Sequence, residues 1–331
     1  RLDGQYFYEE TYDILLKQDK ISKKDAAELK RVFKKEILKD FNLEPPVKYF
    51  AIVRLDGDKM GKWLSATHDK WPHWEKVLHT EMKKRLADRS LLEKPKRLSP
   101  SVHSSISYAL NIFSLETVRT IVESEFPGKL IYAGGDDVLA LLPLEYALEC
   151  AEKIRFAFSG NIKENKIDLN QKNGFIVDKD RTVKFTLGNN ATMSAGIAIA
   201  HYRYSLTQAI MESANAEHYA KDNLDRNACY LKVIKHSGNE IGFGFKWLNE
   251  NSQKRITAVI CRIIELNALS RSFFTQTYEL LKPISSDADS FLSLLYRQIS
   301  QHIDLEGERK KEKKNIIEEL NILFKELYDS I

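Results

Sequence analysis

The chain has 331 residues, of which 43% are apolar and 30% charged, with 51 Lys and Arg against 47 Asp and Glu. This balance excludes a disordered polyelectrolyte, and a net charge of +4 neither demands nor opposes a nucleic-acid partner, because the placement of charge decides that. The three cysteines, Cys150, Cys229 and Cys261, lack the paired spacing of zinc sites and suggest no disulfide framework, so no structural zinc is expected. No apolar run approaches the roughly 20 residues that cross a bilayer, so no membrane partner is expected and the expected location is cytoplasmic. The chain opens on Arg1, which reads as the cut end of a longer protein.

In chain order, Ala26, Leu29, Phe33 and Ile37 recur at helical spacing after an N-cap-like Ser22 and Asp25, and Asn42 to Pro46 stops that helix near Phe41. Val47 to Leu55 reads as a strand buried on both faces that ends in Asp56-Gly57-Asp58. Lys62 to Pro100 is a polar insertion with one helix and three tryptophans, Trp63, Trp71 and Trp74, best read as a satellite apolar cluster. Ser101 to Val122 is a long helix. Leu130 to Ala133 and Val138 to Leu142 flank Gly134-Gly135-Asp136-Asp137, the signature of a hairpin. A helix over Tyr146 to Phe158 precedes a polar excursion from Gly160 to Asp180 and an extra strand at Thr182 to Leu187.

Ala191 to Ala200 is a further strand in which Gly196 signals close backbone approach. Ser205 and Gln208 cap a helix running to about Lys221, and Ala228 to Ile234 is the last strand. Beyond Gly238 the pattern turns helical, over Ile256 to Leu269, Phe273 to Leu281, Phe291 to Ile299 and Ile316 to Leu327, with a charged run at Glu306 to Asn315. The predicted class is α+β: residues 1–46 end a preceding helical unit, 47–237 form a ferredoxin-like palm with an insertion and helices on one sheet face, and 238–331 form an all-α domain.

Two acidic clusters stand at strand ends, Asp56 in one and Asp136 with Asp137 in the other. In a ferredoxin-like sheet those strands are neighbours, so the carboxylates would converge. Crowded carboxylates raise one another's pKa unless a cation neutralises them, and Mg²⁺ or Mn²⁺ prefers such oxygen donors. Two such ions would suit nucleotidyl transfer. Gly134 and Gly135 permit unusual backbone angles and leave room for a ligand, whereas an ordinary Asp- and Gly-rich turn is the bland alternative. Asp58 is a ligand or a helix N-cap. Lys59 and Lys62 are candidate phosphate contacts, and Lys221 is a candidate triphosphate contact. His68-Asp69 lacks the further ligands of a hydrolytic metal site, and Ser194, Cys150 and Cys229 lack partners for covalent catalysis.

Leu55-Asp56-Gly57-Asp58-Lys59-Met60-Gly61, Tyr132 to Ala140 with its GGDD core, and the strand and helix from Ala191 to Lys221 together resemble the large polymerase-cyclase subunit of type III CRISPR effector complexes, most closely the III-B (Cmr) form. The match spans Val47 to about His236. A more distant likeness is to diguanylate cyclases, although Asp137 and Val138 replace their glutamate and phenylalanine; their helix-end lysine corresponds to Lys221.

The resemblance implies a subunit that works with smaller protein subunits, a guide RNA and a target RNA, and that converts ATP into cyclic oligoadenylate by two-metal-ion catalysis. It implies Asp56, Asp136 and Asp137 as catalytic and metal ligands with the Leu55 carbonyl, and Gly134, Gly135, Asp58, Lys59 and Lys221 about the nucleotide. The family's HD nuclease domain, its earlier palm and its zinc cysteines are not recognisable. The alternative is a nucleotide-binding scaffold subunit of the same ribonucleoprotein with little activity in isolation.

Overall fold

Strand β1 (Tyr49–Gly57) holds the centre of a six-stranded sheet, because Ala51, Ile52, Val53 and Leu55 are apolar on successive faces and only a central strand buries both. The computed structural model describes residues 8–33, 38–39, 46–164, 166–171, 174–177, 182–270, 273, 288–303 and 312–330. The first two helices, α1 (Glu9–Lys17) and α2 (Lys23–Val32), precede the sheet, and Ser22 with Asp25 forms a complete capping box for the second. Tyr8 stacks on Tyr202 at 3.9 Å and donates to the Val47 carbonyl at 3.1 Å, which ties this helical pair to the sheet.

After β1 come α3 (Pro100–Ile112), β2 (Lys129–Gly134), β3 (Asp137–Pro143), α4 (Leu144–Phe158), β4 (Met193–His201), α5 (Leu206–Asp222), β5 (Ala228–Ile234) and β6 (Glu240–Lys246). Ser99 caps α3, Pro100 occupies its first turn, and wider turns over Phe113–Thr117 and Thr120–Glu125 prolong its path. The spatial order is β6-β5-β4-β1-β3-β2. Within it, β4-β1-β3-β2 is the ferredoxin-like order, with β1 antiparallel to both neighbours; α5 then makes the crossover to β5, parallel to β4.

One face packs Ala51, Val53, Leu55, Ala140 and Leu142 against Ile154 and Phe158 of α4. Helices were expected on this face alone. In fact α5 covers part of the other, where Ala209 meets Ile52, Ala200 and Ile234. It lies on β4, β5 and β1, and leaves Leu139 and Leu141 of β3 half-buried beside it. Gly196 makes this possible: a Cβ there would fall 2.1 Å from the Glu217 nitrogen and 2.2 Å from the Ser213 oxygen, so the helix backbone rests directly on the strand.

The sheet also runs past Gly238, where the sequence pattern turned. Strand β6 pairs with β5 from Glu240 to Lys246. Gly242 and Gly244 interrupt its apolar run and hid it from pattern reading. Both lie against the Tyr230 ring, whose hydroxyl would be 1.8 Å from a Cβ at Gly242. Beyond β6, α6 (Ile256–Leu266), α7 (Ala288–His302) and α8 (Lys313–Tyr328) share a separate core of Ile263, Leu266, Leu295, Ile299 and Leu320. This all-α region docks through Arg255, which reaches the buried Glu152 of α4 at 3.1 Å.

The excursion after α4 forms a small sheet from Ile162–Lys163, Lys166–Ile167, Phe175–Val177 and Val183–Phe185. Between Met60 and Glu93 the expected single helix is replaced by helical turns at Met60–Leu64, Trp74–Val77 and Thr80–Arg85 and a tighter turn at Arg89–Glu93. The tryptophans act as a local cluster, since Trp71 is buried and its indole donates to the Lys96 carbonyl at 2.7 Å, while Trp63 stacks on His68 at 4.1 Å. The Phe41 end of the early helix, most of the helix read over Phe273 to Leu281 and most of the charged run at Glu306 to Asn315 lie outside the described residues. Among the described residues no helix is long and apolar enough to cross a membrane.

The Gly196 contact yields a direct prediction. Gly196→Ala forces backbone against backbone and is expected to cost about 3 kcal/mol or more in denaturant unfolding, more than usual overpacking because no flexible side chain absorbs the clash.

Candidate active site

Strand register brings the two acidic clusters together. The last paired residues of β1 and β3 are Leu55 and Val138, so Asp56 and Asp137 follow on adjacent strands at the same end of the sheet. Gly134 pairs with Asp137 across the hairpin, and Gly135 takes φ +64° at the turn, a conformation that a side chain resists. Asp136 then folds back over β1. A Cβ on Gly57 would meet its Oδ2 at 2.7 Å, so the glycine of the first motif makes room for the aspartate of the second.

The negative charge of Asp56 acts on both Asp136 and Asp137. Burial, and then the Asp56 charge, push the Asp136 carboxyl up to about 6. Asp137 is raised by the same two causes, moderated by the charges of Arg54 and Lys221. A cation already enters this cluster: the Lys221 ammonium, in the last turn of α5, bonds to Asp56 and lies 2.7 Å from Glu217. Burial draws the Lys221 pKa down, but its bonds to Asp56 and Glu217 outweigh burial and raise it.

The remaining expected contacts divide. The Leu55 side chain is fully buried while its backbone sits at the strand end beside the acids. Gly134 borders the Tyr132 ring and Gly135 faces open space. Lys59 is exposed, in a left-handed conformation, with its ammonium 3.8 Å from Asp69 in the insertion.

Asp58 is neither exposed toward a nucleotide nor an N-cap, since Lys59 precedes the short helix instead. Only 3% of Asp58 is exposed, and its carboxylate accepts from Thr192 Oγ1 and Ser194 Oγ at 2.7 Å and from the Asn227 amide at 3.0 Å. Both oxygens are therefore committed to the protein.

That arrangement reveals residues that pattern reading missed. Asp225, Arg226 and Asn227 are consecutively left-handed, with φ of 48°, 60° and 47°, a costly conformation for residues other than glycine. Asp58 holds the amide of Asn227, and buried Arg155 holds its side-chain oxygen through Nε at 2.9 Å and Nη2 at 2.7 Å. Burial lowers Arg155 to about 10 against the opposing charges of Asp58 and Glu152, and it remains a cation at neutral pH. This network fixes the turn that follows Lys221. Glu217, the other partner of Lys221, also went unread; its only signal was its spacing of four from Lys221 on a helix.

Among the described residues no group of three or more His, Cys, Asp or Glu side chains is arranged to hold a metal ion. The chemistry of the donor set nevertheless fits a hard cation, because carboxylates from two strands crowd together and a lysine ammonium already neutralises one of them. The cysteines take no part: burial pushes Cys150 up to about 12 and raises Cys229 further. A cavity of about 840 Å³ opens at the other end of β1, lined by Tyr49, Phe50, Tyr202 and Tyr204, and none of the acidic residues borders it.

The fold and the placement of these residues define a palm domain. A sequence model described as Cas10/Cmr2, second palm domain, matches residues 49–230, and the chain belongs to this family. It is 32% identical over 248 residues to the CRISPR system Cmr subunit Cmr2 of Pyrococcus furiosus, an alignment that covers 72% of this chain and 25% of that protein. The Cmr2 subunit of Saccharolobus solfataricus is 29% identical over 144 residues, covering 44% of this chain and 13% of the relative. The aligned region thus spans a quarter or less of these curated relatives. Among solved structures, a type III-B Cmr-beta complex bound to cognate target RNA contains a chain with TM-score 0.54 at 17% identity, and the apo state gives 0.51 at 18%. Each covers 90% of this chain, and 41% and 40% of the respective matched chains, and shows the shared fold.

Two predictions follow from the electrostatics. With a folded pKa near 6 against an ordinary 3.8, Asp136 binds more protons folded than unfolded between these values, so metal-free stability falls as pH rises from about 4 to 6 and then levels. Asp136→Asn removes the charge and is expected to stabilise the metal-free chain at pH 7 by on the order of 1 kcal/mol, after allowance for solvent screening, with no gain near pH 3; thermal unfolding across pH reads this out. Asp58→Ala leaves buried donors and Arg155 unbalanced and should destabilise by about 3 kcal/mol in the same assay.

Proposed function

We propose that this chain is the nucleotidyl-transfer palm of a Cmr2-type subunit in a type III-B RNA-guided complex, and that it converts ATP into cyclic oligoadenylate. The observation that carries this reading is the convergence of Asp56 with Asp136 and Asp137 at one sheet end, with Lys221 reaching in from α5. Asp56, the Leu55 carbonyl, Asp136 and Asp137 would hold Mg²⁺ or Mn²⁺. When bound, two such ions supply activation of a hydroxyl nucleophile and stabilisation of phosphate charge.

The protein groups have separate tasks. Asp136 carries its negative charge above pH about 6 and is ready as a donor at neutral pH. The Gly134-Gly135 turn lets a nucleotide approach the backbone without side-chain obstruction. Lys221 now bonds to Asp56, and were Asp56 to serve a divalent cation its ammonium would be available to a triphosphate oxygen. Asp58 positions rather than ligates, by fixing the turn after Lys221. Family membership supports nucleotidyl transfer as the reaction class. Smaller protein subunits, a guide RNA and a target RNA are the proposed partners, and the cytoplasm the proposed location.

A scaffold reading, in which the palm binds nucleotide without turnover, draws on the Lys221–Asp56 pair, which ties up one of the acids. Incubation with ATP and Mg²⁺ or Mn²⁺, with and without the guide–target complex, separates the two. Oligoadenylate is expected in the assembled state, and Asp136→Ala with Asp137→Ala should reduce it at least a hundredfold on chromatography, the order of effect seen when a major electrostatic catalytic group is removed. ATP binding with no product in the assembled state overturns the enzymatic reading and leaves the scaffold.

A further inference from the structure

The strand register places a second row of side chains beside the acidic one. Arg54 pairs with Leu139 of β3 and with Gly196 of β4, and Leu139 pairs with Tyr132 of β2. Paired residues share a sheet face, so Arg54, Leu139 and Tyr132 lie across the face that also carries Asp56 and Asp137. The two rows are two residues apart along the strands, about 7 Å.

Each member of this row has a feature the acidic cluster does not explain. The Arg54 Nε is buried and has no hydrogen-bond partner, and among the described residues the guanidinium makes no ion pair, although Asp137 feels its charge. A buried Nε–H left without an acceptor is costly unless a ligand supplies one. Tyr132 is 55% exposed although it lies on a strand. A register shift between Leu130 and Tyr132 brings it opposite Leu139, and without that shift the alternation would put it on the other face. Its ring lies along Gly134, where a Cβ would meet the hydroxyl at 2.3 Å. Leu139 stands between the cation and the ring and, although it packs beside Ala209 of α5, remains half-buried.

We propose that this row is a nucleotide subsite: a nucleobase stacks on Tyr132 above Leu139, and the Arg54 guanidinium takes a phosphate oxygen of the same nucleotide. The inference rests on the nucleotidyl-transfer reading and adds to it the residues that seat the substrate. Aromatic stacking serves any base, whereas guanidinium pairing serves only the anionic part. The two halves are therefore separable by ligand.

Calorimetric titration of the chain with a non-hydrolysable ATP analogue and with adenosine, both with Mg²⁺, tests the assignment. Tyr132→Ala should weaken both ligands roughly tenfold, and Tyr132→Phe should bind like wild type. Arg54→Gln should weaken the ATP analogue roughly tenfold and leave adenosine unchanged, with Arg54→Lys intermediate. Tyr132 is exposed and Arg54→Lys keeps the charge, so these variants retain the fold, which thermal unfolding verifies. Unchanged affinity in Tyr132→Ala overturns the stacking half, and unchanged analogue affinity in Arg54→Gln overturns the phosphate half. If wild type makes oligoadenylate that Asp136→Ala abolishes while both row variants bind normally, the subsite fails and the functional reading stands. If wild type neither binds the analogue nor makes product in the assembled complex, both fail.

Discussion

Like charges forced into contact at one end of a sheet are the constraint from which the rest of this structure follows. Asp56, Asp136 and Asp137 come from strands that must pair in antiparallel register to bury Ala51, Val53 and Leu55, and that register delivers three carboxylates to one edge. Core packing holds them together against their repulsion. Burial intensifies the conflict, as the elevated Asp136 pKa records. Something positive must sit among them, and in this structure it is the Lys221 ammonium.

The surroundings are arranged to keep that cation in place. Lys221 stands at the end of α5, and the chain then runs through three left-handed residues before re-entering the sheet as β5. A turn of that kind does not hold itself. Asp58 and Arg155, one anion and one cation from different elements, hold Asn227 from its backbone and its side chain. The two aspartates of the first motif thus divide their work: Asp56 faces Lys221 and the other acids, and Asp58 faces inward.

Much of this was legible in the sequence because apolar periodicity and turn chemistry agree. The central strand, the glycine hairpin, the close approach at Gly196 and the C-terminal helices all carry local signals. Strand β6 did not, because Gly242 and Gly244 break its apolar pattern and the Tyr230 ring of the neighbouring strand occupies the space their side chains would take. The position of α5 on the second face was also hidden, since a helix pattern does not say which side of a sheet receives it. At the site, acidic strand ends and a glycine turn singled out Asp56, Asp136 and Asp137 as candidates, whereas Lys221 was singled out by its place at a helix end and by resemblance. Whether Asp58 would face solvent or the interior depended on Thr192, Ser194 and Asn227, which are remote in sequence and carry no motif.

The missing side chain at Gly196 has a mechanical consequence. With helix backbone seated on strand backbone, α5 has no layer of rotamers on which to slide, and it travels with β4 as a single rigid piece. The lysine at the helix end therefore changes place in one of two ways: with the sheet as a body, or by rotation of its own flexible side chain.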